Sequence, residues 1–274
     1  KVLNNNGVIA IDMDENKEYV ILGKGVGFGK KVSQRFDKPE GCTTYRLEQE
    51  TERGSAKELV KGIEPEYLEI ADAILTESQK VFGDSIDRGI LFPLADHISF
   101  AVARIRRNEQ ISNPLTEDIK VLFYSEFKVA ETLKTILKER LQIEIDDHEV
   151  GYVALHIHSA IGDEKVSVAM QTARAVRECI DMIEKATGKP IDVLSLSYNR
   201  LMNHMKYMVA RASTGEKLNL DMNEYMLDQY PQAYKVATDI CKNLEGCIGH
   251  KLDETETGYL AMHIQRVYKD CLLY

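Results

Sequence analysis

Shifting the sequence against itself by 107 positions brings seventeen identities into register over 64 positions without a gap, where average residue usage gives roughly four. Leu94, His97, Val102, Ala103 and Arg104 meet Leu201, His204, Val209, Ala210 and Arg211, and Glu149, Gly151, Tyr152, Ala154, His156 and Ile157 meet Glu256, Gly258, Tyr259, Ala261, His263 and Ile264. A duplication accounts for this. A period of 107 residues is far longer than a solenoid unit, so the chain carries two copies of a domain rather than a stack of short repeats. The copies are expected over 63–165 and 168–274.

Both copies read as helical. Pro65 near a helix start, apolar Leu68, Ile70, Ala71, Ile74, Leu75 and Val81, and Gly83 as a stop predict a first helix of about five turns, and nothing later alternates convincingly as a strand. The residues before the copies differ. Val2-Leu3, Val8-Ile9-Ala10-Ile11, Tyr19-Val20-Ile21-Leu22 and Thr43-Thr44-Tyr45 are short apolar runs bounded by Asn, Asp or Gly, the signature of a small antiparallel sheet. So small a sheet makes a marginal core alone and gains from a covering domain or a dimer. The expected architecture is a small all-β antiparallel domain over 1–55, a linker at 56–62 within a charged stretch, 48–62, that reads as a linker or a helical connector, and two tandem all-α helical bundles.

No apolar run approaches the roughly 20 residues that span a bilayer, and no signal-peptide pattern is present; membrane insertion and export are not expected. Cys42, Cys179, Cys241, Cys247 and Cys271 are scattered without a C-x-x-C pair, which fits reduced thiols and a cytoplasmic location. The net charge of −9 argues against a nucleic-acid partner for the chain as a whole, because phosphate contacts need Lys and Arg. Its distribution reverses that for one part: residues 1–55 hold nine Lys/Arg and nine Asp/Glu, so the whole excess falls in 56–274. The chain begins at Lys1 without a methionine, so a few native residues are expected to precede it.

Four of the seven histidines fall in register, His97 with His204 and His156 with His263, each pair 59 residues apart within its copy. Core histidines with hydrogen-bonded rings are the plain explanation, yet Leu or Met fills such positions without a polar group to satisfy. Metal binding would draw on Asp96 and Glu149, but Asp96 becomes Asn203 in the second copy. Acid–base catalysis would need a pocket motif, and there is no G-x-S-x-G, P-loop or H-E-x-x-H. Phosphoryl acceptance needs only a neutral imidazole nitrogen, which a histidine with a pKa near ~6.5 supplies. The added charge of about −2 would remodel a helix interface through Arg contacts or repulsion, with Arg104 and Arg211, two turns on, as partners.

K-V-L-N-N-N at 1–6, G-K-G-V-G-F-G-K-K at 23–31, D-H-I at 96–98 and the two G-Y-x-A-x-H-I segments stand in an order and spacing that resemble the antiterminators of the beta-glucoside and sucrose operons, over the whole chain. The resemblance implies an N-terminal co-antiterminator RNA-binding domain and two phosphotransferase-system regulation domains. It implies a homodimer that binds an imperfect RNA hairpin, the ribonucleic antiterminator, in the leader of a sugar-utilisation transcript and so keeps a terminator from forming. His97, His156, His204 and His263 match the phosphorylated positions. The donors it implies are a sugar-specific permease of the phosphotransferase system, inactivating through the first copy, and the histidine phosphocarrier protein, often activating through the second. It implies no enzyme activity, cofactor or resident metal.

The N-terminal residues suit that role on their own chemistry. Asn4, Asn5 and Asn6 offer amides to base edges, Gly23, Gly25, Gly27 and Gly29 allow close backbone approach, Phe28 can stack on a base, and Lys24, Lys30 and Lys31 can meet phosphates. The same residues are also ordinary hairpin-turn residues. A duplicated metal-dependent phosphohydrolase with an accessory domain is the competing reading, and a pure interaction scaffold the third. Because Asp96 aligns with Asn203, a carboxylate orienting His204 is not to be assumed from the alignment.

Overall fold

The computed structural model describes residues 1–13, 15–47, 50–51, 54–162, 165–192 and 195–272. Four antiparallel strands in sequence order form the N-terminal sheet: β1 (Val2–Asn4), β2 (Gly7–Asp12), β3 (Lys17–Leu22) and β4 (Thr43–Arg46). The β2–β3 hairpin pairs Val8 with Ile21, Ile9 with Val20 and Asp12 with Lys17, and its turn is closed by Asn16 at φ 54, a conformation that short polar side chains tolerate. Alternation along the strands sends Val8 and Ile21 to one face, packed with Val26, and Val20 and Leu22 to the other. Tyr45, paired with Val20, shares the second face and meets Phe92 edge-on at 6.4 Å.

A two-stranded hairpin, β5 (Glu50–Thr51) and β6 (Gly54–Ser55), leads straight into helix α1 (Ala56–Gly62). Of the two forms expected for residues 56–62, linker or helical connector, the chain adopts the helix: Ala56 and Val60, one turn apart, are both buried. Helix α2 (Pro65–Phe82) begins and ends where the sequence predicts, with Pro65 in its first turn and Gly83 at φ 68 closing it. Tyr67, Leu68, Ile70, Ala71, Ile74 and Leu75 line its buried face, whereas Val81 is exposed.

The remaining helices are α3 (Leu91–Arg106), α4 (Thr116–Leu122), α5 (Tyr124–Ala130), α6 (Thr132–Leu141), α7 (Asp147–Gly162), α8 (Val166–Thr187), α9 (Leu196–Thr214), α10 (Asn223–Gln229), α11 (Pro231–Ile248) and α12 (Thr255–Leu272). The 107-residue period survives in the fold. Helix α10 matches α4 residue for residue, α12 matches α7, and α5 and α6, separated by Glu131 alone, together match α11.

By packing, the chain forms two compact units: 1–113 with 125–166, and 114–124 with 167–274. The first joins the sheet to α1, α2, α3, α6 and α7. In the second, α4 packs against α9, where the Tyr198 hydroxyl donates to Asp118 at 3.4 Å and the Lys206 ammonium lies 5.9 Å from the centre of the Phe123 ring. Burial raises both the Asp118 carboxyl and the Tyr198 phenol above their ordinary pKa values.

Candidate nucleic-acid interface and paired histidines

The two N-terminal motifs, seventeen residues apart in sequence, fold into one patch. The Asn4–Gly7 turn is pinned by the Asn6 N–H donating to Asn4 Oδ1 at 2.8 Å, and it is stitched to the glycine loop by three bonds. Gly23 N donates to Asn6 O at 2.9 Å, Gly27 N to Asn5 O at 2.9 Å, and Gly25 N to Asn6 Oδ1 at 3.0 Å. Two glycines have local reasons. Gly25 sits at φ 75, and a Cβ on Gly27 would meet the Asn4 carbonyl oxygen at 2.0 Å, closer than any real contact. The turn reading of these residues holds, and the turns together build one continuous surface. On it, Asn5, Lys24, Gly25 and Phe28 are exposed, Phe28 at 74%. Lys30 is half-buried over the Phe36 ring, 4.6 Å from its centre. Asn4 and Asn6 are half-buried, and each donates through Nδ2 to Glu69 of α2, at 2.7 and 3.2 Å.

In the first helical copy the rings of His97 on α3 and His156 on α7 lie 5.3 Å apart; in the second, His204 on α9 and His263 on α12 lie 4.7 Å apart and nearly stacked, with 24° between planes. The 59-residue spacing therefore brings facing rings together twice. Beside each pair stands a buried carboxylate. Glu149 Oε2 faces His97 Nε2 at 3.4 Å and Glu256 Oε2 faces His204 Nε2 at 3.8 Å, neither as a well-formed hydrogen bond. Each carboxylate is held by the arginine seven residues beyond the histidine: Arg104 Nη2 donates to Glu149 Oε1 at 2.8 Å, and Arg211 grips both oxygens of Glu256.

Burial pushes the Glu149 carboxyl up, but His97 and Arg104 together outweigh it and hold the group below the ordinary carboxylate range. Burial lowers His204 to about 3, with His263 and Arg211 adding repulsion, and lowers His263 to about 4, with Arg266 and Arg200 adding theirs. The second-copy rings are neutral at any ordinary pH.

The carboxylate facing His97 Nε2 is thus Glu149, not the Asp96 next to it in sequence, and the change to Asn203 leaves His204 with a carboxylate all the same. The signal was present, since Glu149 and Glu256 are one of the seventeen identities. Glu69 had no such signal. Of the unmatched histidines, His148 accepts at Nδ1 from Asn113 N at 3.3 Å and His158 Nδ1 lies 2.9 Å from the buried Glu126. Among the described residues no three His, Cys, Asp or Glu side chains gather into a metal-holding group. No described helix is long and apolar enough to cross a membrane.

Residues 1–54 match the CAT RNA binding domain, and residues 72–160 and 177–267 each match the PRD domain. The chain is 30% identical over 270 residues to the GlcA/glcB genes antiterminator of Staphylococcus carnosus, covering 96% of this chain and 93% of that one. It belongs to the antiterminator family that joins a CAT RNA-binding domain to two PRD domains. The Transcription antiterminator LicT of Bacillus subtilis is 28% identical over 98% of both chains. A crystal structure of GlcT CAT-PRDI superposes with a TM-score of 0.51 at 29% identity, covering 59% of this chain and 96% of that one. The N-terminal sheet and its Asn/Gly patch are thus the CAT domain, and the two histidine pairs lie one in each PRD domain.

Proposed function

We infer that the CAT domain, over 1–55, binds an imperfect hairpin, the ribonucleic antiterminator, in the leader of a sugar-utilisation transcript, through Asn4, Asn5, Asn6, Gly23, Lys24, Gly25, Phe28 and Lys30. We assign phosphoryl acceptance to His97 and His156 in the first PRD domain, over 63–165, and to His204 and His263 in the second, over 168–274. The observation that carries this reading is the facing histidine pair beside an arginine-held glutamate, built twice from elements 107 residues apart. A neutral ring nitrogen is the form that attacks phosphorus, and burial keeps the second-copy rings in that form. A phosphate of about −2 would arrive beside a buried carboxylate and within reach of its arginine, so the arginine would be drawn toward the phosphate and the carboxylate repelled. The donors of matching chemistry are the histidine phosphocarrier protein and a sugar permease of the phosphotransferase system. A homodimer through the sheet fits exposed Ile11, Met13 and Val32, which border a groove of 1130 Å³ against the 30–38 segment.

The test is phosphorylation of the full chain by a reconstituted phosphotransferase chain, mapped by mass spectrometry. Acid-labile phosphate on the four histidines, with reporter antitermination losing its sugar response in the His97→Ala/His156→Ala double variant, is the expected result. Phosphate on none of them, or an unchanged response, overturns the assignment.

A further inference from the structure

The sheet and helix α2 lie in the same compact unit, and their contact falls on the patch assigned above to RNA. Both Oδ1 atoms of the Asn4 and Asn6 amides are taken up inside the patch, Asn4's by the Asn6 N–H and Asn6's by the Gly25 N–H. What remains to meet a ligand is Nδ2, and the Nδ2 atoms of both residues converge on the two oxygens of Glu69. A carboxylate offers the acceptor pair that a phosphodiester or the edge of a base would offer, and it brings a negative charge to a surface meant for a polyanion. Its charge is only partly offset: the half-exposed Arg140 pairs loosely with it, Nη1 to Oε2 at 3.8 Å.

The rest of this helix face holds the contact closed. Asp72, one turn beyond Glu69, accepts from the buried Tyr45 hydroxyl of β4 and from Arg88 Nη2 at 2.8 Å, while the same Arg88 nitrogen also donates to Tyr45 Oη at 2.7 Å. Positions 69 and 72 lie on one side of α2, so the sheet is clasped at two points by acidic residues of one helix.

The geometry points to Glu69 as an internal competitor of RNA: its carboxylate occupies the Asn4 and Asn6 donors, and a hairpin reaches them only when α2 releases the sheet. This rests on the assignment of Asn4 and Asn6 as RNA contacts. By linkage, whatever favours the closed contact weakens RNA binding, and bound RNA must loosen the contact by the same factor.

The experiment uses the full chain and an imperfect hairpin that the wild-type chain itself selects from a pool randomised in its internal loops. Glu69→Ala is expected to tighten binding about tenfold, since it frees two donors and removes one like charge. Glu69→Gln keeps one acceptor oxygen, turns the other into an NH2 donor and removes the charge, so it should fall between wild type and Glu69→Ala. Glu77→Ala, on the same helix but paired with Lys80, should stay within about twofold and controls for net charge. Binding by Glu69→Ala equal to or weaker than wild type, or matched by Glu77→Ala, overturns the proposal. Asn6→Ala separates this from the reading beneath it: undiminished hairpin binding by Asn6→Ala would remove the RNA assignment and the proposal with it. Loss in Asn6→Ala beside no gain in Glu69→Ala would remove the proposal alone. A readout independent of affinity is backbone hydrogen exchange across Pro65–Phe82, which should rise when hairpin is added to the wild-type chain; unchanged or increased protection counts against competition.

Discussion

Arg211 and Glu256, 45 residues apart in sequence, join two helices of the second PRD domain through two parallel bonds, Nε to Oε1 at 2.6 Å and Nη2 to Oε2 at 2.9 Å. The forked geometry is the strongest arrangement available to this pair. Glu256 is 1% exposed, so the pair must be kept or lost together.

Arg211→Ala should lower unfolding free energy by about 3 kcal/mol, because it strands a buried carboxylate. Arg104→Ala should cost less, since Arg104 makes one bond to Glu149 and its side chain is 25% exposed. Urea unfolding of the two variants gives the comparison; equal costs would mean the second bond contributes nothing.

The second PRD domain should lose stability as pH falls from about 6.5 toward 4. In the folded chain His204 and His263 stay neutral down to about 3 and about 4, whereas in the unfolded chain they take up protons near ~6.5. Protons therefore bind the unfolded state preferentially in that window, and stability is complete above it. Each ring contributes a slope of up to roughly 1.4 kcal/mol per pH unit. A His204→Gln/His263→Gln variant should show a shallower decline in melting temperature between pH 6.5 and 4; parallel curves would contradict the burial argument.

Gly27→Ala should disrupt the RNA patch with little effect on the helical domains. Its methyl would meet the Asn4 carbonyl oxygen at 2.0 Å, and backbone cannot yield as a side-chain tip does, so the loop must move off the Asn4–Gly7 turn. We expect hairpin affinity to fall at least about tenfold, as for loss of a well-placed contact set worth ~1.4 kcal/mol or more, with the helical circular dichroism unchanged. Affinity equal to wild type would show that the loop position is immaterial.

Tyr45→Phe removes the hydroxyl that links Asp72 to Arg88. Burial and the adjacent Asp72 push this phenol well above its ordinary pKa, so it acts only as an un-ionised group. The variant should destabilise the first unit by about 1–3 kcal/mol and raise hydrogen exchange in β4. No change in either would mean that the Tyr45 hydroxyl adds nothing to the clasp between sheet and helix.

The sequence made local features plain and long-range partnerships obscure. Strands β2 and β3 follow from short apolar runs bounded by Asn, Asp or Gly, and α2 from Pro65, an apolar period and Gly83, because each is decided within a few residues. Helix α1 is undecided in sequence between linker and helical connector because its stretch buries only Ala56 and Val60. The facing histidines were legible only through the duplication, and so was Glu149 in retrospect. Asp96, the obvious acidic neighbour of His97, misled because adjacent residues on a helix point about 100° apart. The meeting of Asn4 with Glu69 spans 65 residues and left no trace in pattern or composition.

Under the phosphorylation proposed above, the burial of His204, 7% exposed, would make the domain a gatekeeper of its own modification. A donor protein could not reach a ring inside a closed bundle, so transfer would wait for helices α9 and α12 to part. Phosphate would then mark molecules caught open and, once attached, hinder their closing. The rate at which a signal is written would thus be fixed by how often the bundle breathes, a quantity tuned by packing residues far from either ring.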